Sequence, residues 1–251
     1  MKYRIFTCLG KGGTGKTAIS TLIGRYFIER NIRPLFIDAD PVSGLQKTLS
    51  VGEVKTIANA KSELAELARS VSENTNVEQA SHELDYIIMN VLREYDKFGF
   101  IAIGQTYSTG CFCAINNLLR DTISRITTSY PVVIIDAEAG IEQVNRLVVE
   151  KVDYALLVTD MSRRGIDTCL EIKKAVGRIE SMKKCSYGAI INKCSEVNET
   201  QLEILASAGI SLLGCVPLDP LLEEADIKGK SLLTADGLLA YDSITNILDG
   251  L

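Results

Sequence analysis

The sequence predicts an α/β fold: one mostly parallel sheet of about seven or eight strands with helices on both faces. Three observations predict it. Short β-rich runs alternate with stretches of helical period along the chain. Most of those runs are continuously apolar, which suits strands covered on both sides. The 251 residues hold no internal repeat, no low-complexity stretch and no Pro/Gly/Ser linker, so a single domain over 1–251 is the economical organisation.

The first strand is expected at 3–9 (YRIFTCL). Residues 16–29 follow with Ile19, Leu22, Ile23, Tyr26 and Phe27 at helical spacing. Further strands are expected at 34–38 (PLFID), 98–104 (FGFIAIG), 131–136 (PVVIID), 154–160 (YALLVTD), 187–192 (YGAIIN) and 210–216 (ISLLGCV). Residues 84–89 (LDYIIM) read as an additional strand at the sheet edge. Helices are expected near 59–72, 114–127, 140–150, 164–182 and 199–207, with two more toward the C-terminus. Residues 43–83 are the most polar and least regular part and read as a surface excursion.

Composition narrows the function. Charged residues are 24% and hydrophobic residues 46%, which excludes wholesale disorder. Lys plus Arg is 27 against 32 for Asp plus Glu, a net charge of -5, which argues against holding nucleic acid by phosphate neutralisation. No apolar run approaches the ~18–20 residues of a membrane span, and no export leader is expected. Seven cysteines without such a leader point to a cytoplasmic chain whose thiols are free or bind metal. The one histidine, His82, lies in the polar stretch and reads as a surface residue.

The strongest motif is Gly10-Lys11-Gly12-Gly13-Thr14-Gly15-Lys16-Thr17, which fits G-x-x-x-x-G-K-[ST] between a strand and a helix. Glycines let backbone N–H groups wrap a phosphate, and the following helix N-terminus adds partial positive charge. Lys16 is expected at the β- and γ-phosphates and the Thr17 hydroxyl on Mg²⁺.

The second lysine, Lys11, is not required by an ordinary phosphate loop. With it, KGGTGKT resembles the deviant Walker A motif of the ParA/MinD/nitrogenase-iron-protein superfamily of P-loop ATPases. The resemblance covers nearly the whole chain. It implies a nucleotide-sandwich homodimer in which Lys11 reaches the partner's phosphates, like an arginine finger in trans. It also implies that Asp38, in Asp38-Ala39-Asp40-Pro41, supports the Mg²⁺ shell and that Asp40 orients or deprotonates the attacking water. Asp136 falls at the Walker B position, before the switch segment Ala137-Glu138-Ala139-Gly140. A plain helix cap is the alternative for a carboxylate at such a strand end. Asn192 and Lys193 match the adenine-reading position, and Pro217, Leu218 and Asp219 the loop packed on the base. ATP is therefore expected over GTP.

Cysteine placement separates two groups. Cys8, Cys169, Cys185, Cys194 and Cys215 lie in apolar patterns and read as small core residues. Cys111 and Cys113, in Gly110-Cys111-Phe112-Cys113, follow a polar loop and precede a helical stretch. Thiols near a helix N-terminus tend toward thiolate. One C-x-C supplies half a tetrahedral site, and two pairs across a two-fold axis supply four thiolates for a soft or borderline metal. GCFC followed by NNLLR, and DAEAGIE at Walker B, resemble the CooC-type ATPases that assist nickel insertion into carbon monoxide dehydrogenase. The resemblance makes 105–113 a metal loop. It implies Ni²⁺, with Zn²⁺ also acceptable, at a site shared by two chains, and a nickel metalloenzyme as client. The competing readings are a metal-free MinD/ParA-like regulatory ATPase and an iron–sulfur carrier or reductase-type ATPase. The last residues, LLAYDSITNILDGL, are amphipathic but acidic, so no membrane contact is expected.

Overall fold

The computed structural model describes residues 4–40, 44–60, 63, 86–87, 89–104, 123–137, 152–179, 182, 184–194 and 198–251. Its strands are β1 (Arg4–Leu9), β2 (Pro34–Asp38), β3 (Arg93–Glu94), β4 (Gly99–Ala102), β5 (Val132–Asp136), β6 (Tyr154–Thr159), β7 (Ser186–Asn192) and β8 (Ser211–Val216). They form one sheet in the order β3-β4-β2-β5-β1-β6-β7-β8. Every pairing is parallel except β3 with β4. The labelled helices are α1 (Lys16–Glu29), α2 (Gly44–Thr48), α3 (Arg163–Val176), α4 (Glu199–Ser207), α5 (Pro220–Ile227) and α6 (Leu239–Asp249).

Strand periodicity of two decides which face each side chain meets. Phe6 and Cys8 of β1, Phe36 of β2 and Val132 and Ile134 of β5 face a core built with α1, α2, α5 and α6. Ile5, Leu9, Leu35, Ile37, Val133 and Ile135 face the opposite core, closed by α3, α4 and the helical residues 123–128. The same alternation puts Asp38 and Asp136 on the α1 side, at the C-terminal ends of neighbouring strands. Open parallel sheets bind ligands at that edge.

Three expectations need correction. Residues 86, 87 and 89 are helical, not an edge strand, and the sheet edge is β3. Ile87 and Val91 are buried at a spacing of four while Tyr86 and Met89 are exposed at a spacing of three, which is a helical pattern in a short run. Residues 44–60 are not a surface excursion, because Leu45, Leu49, Ile57 and Ala60 pack into the cores. The rest of the 43–83 span, apart from residue 63, lies outside the described residues, as do His82 and the expected helix at 140–150. Cys8, Cys169 and Cys185 are buried as expected, but Cys194 and Cys215 are only half-buried.

The C-terminal helices are joined by one carboxylate. Asp219, 4% exposed, accepts from the N–H groups of Leu221 and Leu222 at 3.0 and 3.3 Å and so caps α5. Its second oxygen accepts from Ala240 N–H at 2.9 Å, in the first turn of α6. Asp219→Ala leaves three donors without their acceptor and is expected to cost about 2–4 kcal/mol. Urea unfolding measures this, and a variant within about 0.5 kcal/mol of the parent contradicts the bracket.

Candidate nucleotide-binding site

The glycine-rich loop runs from the end of β1 to the start of α1. Two of its glycines are dictated by close approach. Gly10 has φ 151°, and a Cβ there would sit 2.0 Å from the Val158 carbonyl oxygen of β6. Gly15 has φ 87°, and a Cβ would sit 2.3 Å from Asn192 Nδ2. Thr14 fastens the loop from inside: its hydroxyl lies 2.9 Å from Lys11 O and 3.0 Å from Val158 O. Asn192, at the end of β7, donates from Nδ2 to Thr14 O at 2.8 Å. Gly12 and Gly13 are exposed at the rim.

Helix capping singles out α1. Ser162, Asn198 and Asp219 cap α3, α4 and α5 with their own side chains, and Asp219 serves α6 as well. At the start of α1 stands Gly15, with no side-chain cap and no acidic residue in the first turn. An N-terminus of that kind, entered from a glycine loop, is built to receive an anion.

Beneath it lies a carboxylate pair. Asp38 and Asp136 are Cα partners across β2 and β5, 0% and 1% exposed. Asp136 accepts from the Thr17 hydroxyl at 2.7 Å and from the Ser20 hydroxyl at 3.0 Å. Asp38 accepts from Asp40 N–H and Gln46 N–H, both at 3.2 Å. Burial, then the charge of Asp136, pushes the Asp38 carboxyl up to about 7. Burial also pushes Asp136 up to about 6, although Thr17, Ser20 and Lys16 all favour its ionised form. Two buried carboxylates and a hydroxyl form a hard oxygen donor set, which fits Mg²⁺. Among the described residues, no group of three or more His, Cys, Asp or Glu is arranged to hold a metal ion.

The structure brings Gly10, Gly12, Gly13, Thr14, Gly15, Lys16, Thr17, Asp38, Asp40 and Asp136 to one end of the sheet. Lys16, 8% exposed, donates from Nζ to Lys11 O at 3.1 Å, so the ammonium already lies inside the loop. Lys11 is half-buried beside Asp160. Burial opposes the Asp160 charge, but hydrogen bonds from Ser162 and the Lys11 ammonium outweigh it and hold the carboxyl below its ordinary value. Lys193 is exposed with φ 55°, and Leu218 is also exposed. Asp219 points away from a base-reading role, its carboxylate being spent on the α5 and α6 N-termini. Cys111 and Cys113, with the 105–113 loop and Glu138-Ala139-Gly140, lie outside the described residues.

Ser20 and Asp160 were not singled out by the sequence motifs. Ser20 had one signal: three residues after Thr17 on a helix, it shares that residue's face.

This arrangement defines a nucleotide-binding domain of the phosphate-loop class. The chain belongs to the CobQ/CobB/MinD/ParA nucleotide-binding domain family, whose profile matches residues 5–233. An uncharacterized ATP-binding protein of Methanocaldococcus jannaschii is 34% identical over 229 residues, covering 90% of this chain and 88% of that protein. The carbon monoxide dehydrogenase accessory protein CooC of Rhodospirillum rubrum is 28% identical over 230 residues, covering 88% and 86%. Among solved structures, a ParA family ATPase from Chlorobium tepidum superposes with TM-score 0.68 at 19% identity, covering 98% of each chain. The septum site-determining protein MinD of Pyrococcus horikoshii, complexed with Mg-ADP, gives TM-score 0.67 at 14% identity, covering 99% and 95%. Those two likenesses are of fold. No helix among the described residues is long and apolar enough to cross a membrane.

The raised carboxyls have a consequence for stability. With folded values near 7 and 6 against an ordinary 3.8, Asp38 and Asp136 keep protons in the folded chain that the unfolded chain releases. Their contribution is therefore present at about pH 4 and is lost as pH rises through about 7. Asp38→Asn removes one such group. Without Mg²⁺ it is expected to melt several degrees above the parent at about pH 7.5, with the gap closing toward about pH 4. A variant that melts no higher than the parent at neutral pH contradicts the burden assigned to this pair.

Proposed function

We propose that the protein is an ATP- and Mg²⁺-dependent homodimerising switch that binds nickel and assists its insertion into carbon monoxide dehydrogenase or a related metalloenzyme. The family supports nucleotide binding. The observation that carries the nickel reading is the Cys111–Cys113 pair, in a chain alignable over most of its length with a carbon monoxide dehydrogenase accessory protein.

In this reading, the loop amides from Gly10 to Thr17 hold the phosphates and Lys16 exchanges Lys11 O for phosphate oxygen. Thr17, Asp136 and Asp38 organise Mg²⁺, directly or through its waters. Asp40 sits beside Asp38 at the rim and accepts the proton of the water that attacks the γ-phosphorus; ADP and phosphate leave. Lys11 supplies positive charge to the partner's phosphates, so hydrolysis depends on the dimer. The adenine lies between the Lys193 turn and Pro217-Leu218. Asn192 spends its N–H on Thr14, which leaves its carbonyl end to face the adenine amino group.

Nickel is cargo. Cys111 and Cys113 of each of two chains complete a four-thiolate shell, and Zn²⁺ fits the same donors. Nucleotide state and metal affinity are then linked, each altering the other by the same factor. Location in the cytoplasm, without nucleic acid or membrane as a partner, completes the reading.

Nickel titration by equilibrium dialysis, with absorbance for thiolate-to-nickel charge transfer, tests the proposal. The expected stoichiometry is one Ni²⁺ per two chains, abolished in Cys111→Ser/Cys113→Ser while ATP still binds. One metal per isolated chain, or unchanged binding in the double variant, overturns the shared site and leaves a metal-free switch.

A further inference from the structure

Two cysteines outside the proposed nickel loop meet beside the nucleotide site. β7 and β8 pair in parallel, with Ile191 opposite Cys215 and Asn192 opposite Val216. The chain then turns at Lys193, φ 55°, and Cys194 N–H donates to Val216 O at 3.0 Å. That turn brings the Cys194 and Cys215 thiols into hydrogen-bonding contact, although they are 21 positions apart. Both are half-buried, unlike Cys8, Cys169 and Cys185. Cys194 is hydrogen-bonded to the residue that follows Cys215, so the two backbones run side by side where the thiols meet.

We infer that Cys194 and Cys215 form a covalent modification site, a dithiol that a small-molecule disulfide oxidises to an intrachain disulfide, and that closing it weakens nucleotide binding. The second half rests on the reading above that the base lies between the Lys193 turn and Pro217-Leu218. The chemistry is thiol–disulfide exchange. The Cys194 thiolate attacks one sulfur of the small disulfide; that S–S bond breaks and one small thiol leaves, taking up the Cys194 proton. The Cys215 thiolate then attacks Cys194 Sγ in the mixed disulfide, and the second small thiol leaves with the Cys215 proton. The two cysteines are oxidised and the small disulfide is reduced to two thiols. The order follows from position: Cys194 lies on the turn, whereas Cys215 is held in β8 with its thiol pushed up to about 11, chiefly by burial and then by Cys194.

The coupling is mechanical. The Cys194–Cys215 bond fastens the turn carrying Lys193 to the strand that leads into Val216-Pro217-Leu218. In that reading the base packs against both segments, so drawing the two thiols from hydrogen-bond contact to covalent distance moves the walls of the slot relative to one another. Asn192 transmits the same constraint to the phosphate loop, because its amide donates to Thr14 O.

Peptide mapping tests the site independently of function. Trypsin cuts after Lys193 and Lys228 and leaves both cysteines on one peptide, 194–228. After treatment of the intact protein with oxidised glutathione, that peptide is expected lighter by two hydrogen atoms. Cleavage after Glu203 then leaves its halves joined until reductant is added. Calorimetric titration with Mg·ATP is expected to show binding about tenfold weaker in the oxidised protein, restored by dithiothreitol, with Cys215→Ser indifferent to oxidation. Absence of the joined peptide overturns the site. A joined peptide with unchanged ATP affinity overturns the coupling. Failure of the reduced parent to bind ATP instead sinks the proposed function, while the peptide result still decides the thiol pair.

Discussion

Two carboxylates buried side by side constrain the rest of this end of the molecule. Asp38 and Asp136 occupy paired positions on neighbouring parallel strands, and parallel pairing keeps their side chains on one face. Removing such charges from water is costly unless hydrogen bonds or an opposite charge offset it. The chain supplies hydrogen bonds from Thr17, Ser20, Asp40 and Gln46, and both carboxyls still stay well above their ordinary value. In the proposed reading a divalent cation would remove that burden at the point where the phosphate loop presents the Thr17 hydroxyl. Thr17 would then serve both the proposed metal site and the phosphate loop.

The loop itself is held from the neighbouring strands. β6 supplies the Val158 carbonyl that Thr14 bonds and that excludes a side chain at Gly10. β7 supplies Asn192, which bonds Thr14 O and excludes a side chain at Gly15. Displacement of either strand end reaches the phosphate loop through one hydrogen bond. Cys194, in contact with Cys215 of β8, lies two residues past Asn192.

The sheet and phosphate loop were legible in the sequence because both rest on local signals. Continuous apolar runs gave β1, β2, β5, β6, β7 and β8 to within a residue or two, and glycines bracketing a Lys-Thr pair defined the loop. The resemblance placed Asp38 in the Mg²⁺ shell and Asp136 at the Walker B position, and strand register shows why the two lie side by side. Less legible were features set by tertiary packing. LDYIIM has β-rich composition, yet Ile87 and Val91 bury on a helical period. Residues 44–60 look polar, but their few apolar positions are the ones that enter the cores. Asp219 matches a base-packing loop by position, and only the chain's return to α6 shows its carboxylate bridging two helix N-termini. Cys194 and Cys215 looked like separate core residues because contact between them depends on the β7–β8 register and the Lys193 turn.

The proposed site requires that Mg·ATP binding ionise the buried pair, and proton release measures it directly. With Asp38 near 7 and Asp136 near 6, the free protein at about pH 6.5 holds roughly one proton on the pair. Titration of preformed Mg·ATP in buffers of differing ionisation enthalpy should show about one proton released per chain, falling to a small fraction of that in Asp38→Asn. Binding with no net proton release in the parent would contradict the account.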